Sequence, residues 1–323
     1  MTYFYGLMTA LWLCCVSFSA NGQESSNLQW HGYFSQGITQ SIDSDFITSD
    51  NQISAELTEI GLNGLYQVAS NISIAGQVVY LDGGNRFEQG SRLDYLFIDW
   101  TVDDIAGWQA QIHLGRYKNS HWLYSVTRDV PQTRDTAVLP QSVYFDGFRD
   151  VALGSNGIQT RFSKYTDNHV WEVNWSYGRS TINEEQRDYL LGSLALGKIK
   201  QDFVHQFSVF WQPASMNWKL GASWLDSDFE YIPLEQDNRF AGMSNIRRFM
   251  ISMQYFSENW ELSSELLREI QDFNGVFTPD YYDKRTGEGG FVQLRYLFSP
   301  RFSGLVSYDS YTNDVDDPNG VQL

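Results

Sequence analysis

The sequence predicts an all-β fold of the transmembrane antiparallel β-barrel type, and three observations predict it. Side chains alternate between apolar and polar with a period of two through most of the chain. The connections between those runs are short and long by turns. Large aromatics recur directly after the short connections. Composition agrees, with aromatic residues at 16% of 323, among them 11 Trp, 19 Tyr and 21 Phe. Mean hydropathy is -0.37 and 19% of residues are charged. That excludes a bundle of apolar membrane helices but suits a barrel, in which only alternate residues face lipid.

The chain opens on its one long apolar run, MTYFYGLMTALWLCCVSFSANGQ. The stretch Phe4–Phe18 has the length of a secretory-signal core and is short for a bilayer span. Small residues precede Gln23, so cleavage is expected after Gly22, giving a signal peptide at 1–22 and a barrel over 23–323. No Lys or Arg precedes the run, which departs from the usual signal pattern. Both cysteines, Cys14 and Cys15, lie inside it, and Leu13 is not the small residue that a lipoprotein site wants. The mature chain is then thiol-free, so backbone pairing rather than disulfides must hold it together.

Thirteen alternating segments follow: 28–40, 53–68, 72–82, 92–102, 108–117, 154–163, 169–178, 202–212, 218–226, 246–256, 260–271, 290–298 and 302–312. In the first, Leu28, Trp30, Phe34 and Ile38 share a face opposite Gln29, His31, Ser35 and Gly37. In the third, Ile72, Ile74, Val78 and Tyr80 oppose Ser73, Ala75 and Gln77; in the seventh, Trp171, Val173, Trp175 and Tyr177 oppose Glu172, Asn174 and Ser176. The tenth sets Phe249, Ile251, Met253 and Tyr255 against Arg248, Ser252 and Gln254. The fourth, RLDYLFIDWTV, is apolar on both faces and gives no orientation. Short connections fall at 69–71, 103–107, 164–168, 213–217, 257–259 and 299–301, with Trp108, Trp218, Trp260 and Phe302 directly after four of them. Long ones fall at 41–52, 83–91, 118–153, 179–201, 227–245 and 272–289. An exported β-sandwich or propeller needs neither the aromatic placement nor one systematically longer set of loops.

The stretches SRLDYLFIDW, LGRYKN, YSVTRDVPQTR and LPQSVYFD together resemble the general porin superfamily of Gram-negative bacteria, including relatives near the phosphate-selective porins. That resemblance implies a sixteen-stranded barrel in the cell outer membrane, usually trimeric, with the third external loop folded into the pore. Counting agrees on the loop: with a periplasmic mature N-terminus, 118–153 follows the fifth strand and is the third external loop. The C-terminus departs from the pattern. The chain ends NDVDDPNGVQL rather than on a closing aromatic strand, and bacterial single-chain barrels have even strand counts. The expectation is a C-terminally truncated chain with about thirteen of sixteen strands, Leu323 in the seventh external loop, and 28–40 lacking its closing partner.

The segment Gly115–Arg149 has no strand or helix period and reads as the constriction loop. Its Trp122, Tyr124, Val138, Leu139, Val143, Tyr144 and Phe145 call for a wall to pack against, and Pro131 and Pro140 stiffen it. Its bases Arg116, Lys118, Arg128, Arg134 and Arg149 stand among Asp129, Asp135, Asp146 and Asp150. Arg161, Arg248 and Arg295 fall on the inward phase of their strands, with Glu172, Glu261 and Glu265, since a charge facing lipid near the midplane costs about 2–4 kcal/mol. These eight bases are the expected pore-lining residues; Arg128 and Arg134, if unpaired, would carry a mild preference for anions. The acids Asp43, Asp45, Glu184, Glu185, Asp228, Glu235, Asp237, Asp280, Asp283 and Glu288 lie in or beside external loops, where divalent cations bridge carboxylates to lipopolysaccharide phosphates.

Motifs for a serine-hydrolase elbow, a phosphate loop and a His-Glu-x-x-His zinc site are all missing. The five histidines are scattered; His113 and His121 are the nearest pair, with His113 read as a polar wall residue. No cofactor, metal or nucleic-acid partner is expected. The reading is a passive channel for small hydrophilic solutes, partnered by bilayer, lipopolysaccharide and two further copies of itself. The alternatives are a barrel lipid hydrolase, which needs a Ser–His pair on one wall, and a closed structural or adhesive barrel.

Overall fold

The computed structural model describes residues 27–49, 52–128, 130–149, 151 and 154–319. The expected signal peptide and Leu323 lie outside the described residues. Thirteen strands form one antiparallel sheet in sequence order: β1 (Leu28–Gln40), β2 (Ile53–Ala69), β3 (Ile72–Asp82), β4 (Gly90–Ile105), β5 (Trp108–Lys118), β6 (Gly154–Tyr165), β7 (His169–Arg179), β8 (Lys198–Pro213), β9 (Trp218–Ile232), β10 (Gly242–Phe256), β11 (Trp260–Gly275), β12 (Tyr282–Ser299) and β13 (Phe302–Thr312). Each strand pairs with its sequence neighbours, and β1 and β13 are the two edges of the sheet. The barrel is therefore open among the described residues.

The period of two does what the alternation requires. On β10, Phe249 and Ile251 are 51% and 54% exposed while Met250 and Ser252 between them are 0% and 1% exposed. One face meets the membrane and the other packs inward. The doubly apolar β4 is settled the same way: Leu96, Ile98 and Trp100 are exposed outward. Phe97 and Asp99 turn inward, with the Phe97 ring 4.3 Å from the His113 ring and an Asp99 oxygen 3.3 Å from His113 Nε2. Outward aromatics also collect at the short-turn end, where Trp218 meets Tyr255 and Trp260 meets Tyr296, each at 4.5 Å between ring centroids. Amphipathic rings favour that level because it is where hydrocarbon gives way to headgroups.

Several strands run past their expected ends, furthest on the long-loop side, although β4 and β6 also continue into short turns, to Ile105 and Tyr165. β8 begins at Lys198, β10 at Gly242 and β12 at Tyr282, and β11 continues to Gly275. The extensions are polar, so hydropathy gives no sign of them; backbone pairing continues where no lipid has to be met. The segment after β7, expected as loop, contains a helix α1 (Glu184–Leu191). It starts on a reciprocal capping box, with the Asn183 side chain accepting from Gln186 N and the Gln186 side chain accepting from Asn183 N.

Candidate functional site: the segment inside the barrel

Between β5 and β6 the chain leaves the wall and crosses the concave side of the sheet. Trp122, Tyr124, Leu139, Val143 and Tyr144 pack in one buried cluster with Met250 of β10, Leu267 of β11 and Phe291 of β12. These wall residues are among the apolar members of a largely polar inward phase, and they lie where the segment covers them. Two short 3-10 turns, Pro131–Thr133 and Asp146–Phe148, give it internal form.

Polar contacts fix the segment at six places round the wall. On β11, Glu265 is 0% exposed and accepts hydrogen bonds from Leu123 N at 2.9 Å, Tyr144 Oη at 2.5 Å and Ser252 Oγ at 2.8 Å. Asp309 on β13 accepts from Gln141 N at 2.6 Å and Ser142 N at 3.2 Å. Arg295 on β12 pairs with Asp135. Glu59 on β2 pairs with Arg134 at 2.5 Å. His121 lies 2.8 Å from Ser176 Oγ on β7 and 3.0 Å from Ser208 Oγ on β8. Asp146 pairs with Arg86, beyond β3, at 3.0 Å and with Arg128 of its own segment. The segment thus touches the inner side from β2 to β13.

Burial shapes the protonation of its groups. Desolvation pushes the Tyr144 hydroxyl up, and the neighbouring Glu265 carboxylate adds to it. Desolvation lowers the Arg128 guanidinium against the pull of Asp146, which raises it. His121 is driven down to about 3, chiefly by burial and secondly by His205. It is therefore neutral at physiological pH.

The expected pore-lining bases meet different fates. Arg128 is 2% exposed and bound to Asp146, and Arg134 is taken by Glu59. Neither is the unpaired guanidinium that an anion-binding role requires, because a buried charge is stable only when compensated. Lys118 meets Asp94 at 2.8 Å, where a register shift between Gln77 and Val78 turns that carboxylate inward. Arg149 lies 4.0 Å from Asp146 and its guanidinium 5.0 Å from the centroid of the Phe87 ring. Arg161 pairs with Glu172 at 3.1 Å, Arg248 with Glu269 at 2.5 Å and Arg295 additionally with Glu261 at 3.4 Å. Arg116 departs from the expectation altogether. It lies on the outward phase, opposite Asn156, with Nε donating to the Leu93 carbonyl at 2.9 Å. The alternation of β5 continues through Gly115, so Arg116 follows Ile112 and Leu114 outward.

Sequence reasoning missed the anchoring role of Glu265, Asp309, Asp146, Glu59 and His121. Their partners are distant in sequence, by 142 residues from Leu123 to Glu265 and 168 from Gln141 to Asp309. Inward phase could have nominated Glu59, Glu265 and Asp309, but not their partners. The Ser176–His121–Ser208 contact does place serines beside a histidine. His121, Ser176 and Ser208 are all 0% exposed, so no substrate reaches them and the arrangement is an anchor. Among the described residues, no three His, Cys, Asp or Glu side chains gather to hold a metal ion.

An up-and-down antiparallel wall, apolar outside and polar inside, with an inward-folded segment after β5, has the fold of the porin-like barrels of the bacterial outer membrane. The outer membrane channel DcaP of Acinetobacter baumannii has this fold, with a TM-score of 0.56 at 12% identity over 90% of this chain and 80% of that one. An anion-selective porin from Comamonas acidovorans matches with a TM-score of 0.48 at 11% identity, covering 90% of this chain and 81% of that one. A loop-deletion form of OmpT, an outer membrane protein of Vibrio cholerae, gives a TM-score of 0.46 at 11% identity over 89% of this chain and 94% of that one. No protein-family model and no curated protein sequence matches the chain.

Proposed function

We propose that the chain forms a passive outer-membrane channel for small hydrophilic solutes, with residues 115–149 as its constriction loop. The observation that carries this reading is the inward segment fastened to the wall at both ends of the sheet, on Glu59 of β2 and Asp309 of β13. A loop so held narrows a lumen at a fixed height, while the remaining inward phase stays polar enough for water and solutes. A mild preference for anions belongs to the same proposal. With Arg128 and Arg134 compensated, it has to come from other groups.

A signal peptide at 1–22, a barrel domain over 23–323, homotrimer assembly and lipopolysaccharide contact at the outer rim complete the proposal. The hydrolase alternative finds no support in the occluded His121 site, and no lipid turnover in detergent micelles is expected. The primary test is reconstitution of the full-length protein in planar bilayers, where stepwise conductance is expected. Silence at every voltage would overturn the channel reading. The trimer is checked by mass in mild detergent, and a monomeric mass refutes it.

A further inference from the structure

We infer that Lys219, not the arginines of the constriction segment, is the residue that gives the lumen its preference for anions. This rests on the channel reading and names the group that sets its selectivity. On β6 to β12 the other lumen-phase cations each hold a carboxylate: Arg161 with Glu172, Arg248 with Glu269, Arg285 with Asp283, and Arg295 with Asp135 and Glu261. Each such pair presents little net field to a passing ion. Lys219 is partly exposed on the inward phase of β9, and among the described residues no carboxylate lies within ion-pair distance of it. The charged groups in electrostatic reach are Glu172, Arg161 and Glu265. Glu172 is engaged by Arg161 at 3.1 Å and Asn174 at 3.0 Å. Glu265 is 0% exposed beneath its hydrogen bonds to Leu123, Tyr144 and Ser252, so it offsets part of the Lys219 field at a distance, but the ammonium is the group of the two that meets lumen water.

The ammonium is also held in place. Lys219 Nζ stands 4.7 Å from the centroid of the Phe210 ring, a cation–π contact that positions the charge without cancelling it. That ring covers Gly221, where a Cβ would come within 2.3 Å of it. Lys219 faces Gln254, a neutral amide, across the β9–β10 ladder. The next lumen-phase level is Gly221, opposite Ser252, which in turn is opposite Glu265. Lys219 therefore stands one step from the point where the constriction segment is anchored, on the short-turn side. A solute leaving the constriction passes this charge.

At about 6 Å a single accessible charge with no direct ion-pair partner changes local ion occupancy by up to about threefold at a dielectric constant near 80 and about a hundredfold near 20. Screening in physiological salt, with a Debye length of about 8 Å, places the expectation toward the lower end.

The test is the zero-current potential across a KCl gradient for the full-length protein and its Lys219→Gln and Lys219→Glu variants. Arg268→Gln serves as control, at an outward position where Arg268 meets Glu288 at 3.5 Å and is 64% exposed. The chloride-to-potassium permeability ratio is expected to fall about three- to tenfold in Lys219→Gln and further in Lys219→Glu, with Arg268→Gln unchanged. A Lys219→Cys variant, with Cys14 and Cys15 replaced by Ser, should regain the ratio on modification with a cationic thiosulfonate and lose it with an anionic one. A conducting wild type whose ratio is unmoved by either Lys219 variant overturns the Lys219 assignment and leaves the channel standing. A wild type that never conducts overturns the channel reading and this inference with it.

Discussion

Replacement of Glu265 by Ala should detach the inward segment from the wall while leaving the barrel folded. The side chain is fully buried and accepts from a backbone amide, a tyrosine hydroxyl and a serine hydroxyl. Its removal strands donors in a site closed to bulk water, at about 1–3 kcal/mol for each one left unsatisfied. Ser252 can turn to another acceptor, which leaves Leu123 N and Tyr144 Oη and a net loss of about 2–4 kcal/mol in the local stability of the segment. Hydrogen exchange at the Leu123 amide reads that loss directly, because exchange there requires the segment to lift. It should accelerate by about 30- to 900-fold, with the strand amides of β10 and β11 little changed. Glu265→Gln keeps one carbonyl acceptor and should fall between the two. In bilayers the Ala variant should show a larger or noisier conductance than the wild type. Unchanged exchange at Leu123 together with unchanged conductance would refute the claim that Glu265 holds the segment in place.

Asp146→Asn should cost about 3–5 kcal/mol by leaving the buried Arg86 and Arg128 without their shared carboxylate, and limited proteolysis should then cut within 118–153. The hold of His121 on β7 and β8 should depend on acid. Its ring has a lower pKa in the closed segment than when free, so attachment is complete above about 6.5 and weakens by about 1.4 kcal/mol per pH unit toward about 3; a His121→Gln variant should lose that slope in exchange measured at several pH values. Gly221→Ala drives a methyl into the Phe210 ring and should cost about 1–3 kcal/mol, seen as a lower temperature at which the folded band converts to the unfolded one in semi-native electrophoresis.

The alternation in 246–256 was enough to place Phe249 and Ile251 on the membrane side and Arg248, Ser252 and Gln254 inside, because a strand offers a side chain only two directions and lipid rejects charge from one of them. The same argument made Trp218 and Trp260 a belt at the short turns and singled out Gly115–Arg149 as a departure from the hairpin pattern, although its first four residues, Gly115–Lys118, remain paired in β5. Local spacing settles such matters, since the partners are neighbours on one strand or across one turn. Charge pairing is different in kind. Arg128 and Arg134 read as available cations because their carboxylates, Asp146 and Glu59, lie 18 and 75 residues away, and only the inward fold of the segment brings them together. Nothing in the local spacing singles out Lys219; that no carboxylate among the described residues pairs with it is a property of everything around it on the curved inner wall. Sequence by itself determined which way the strands other than the doubly apolar β4 face and roughly where the chain departs from the sheet. Tertiary structure decided which charges are cancelled and which remain, because electrostatic compensation depends on distance in space and not on distance along the chain.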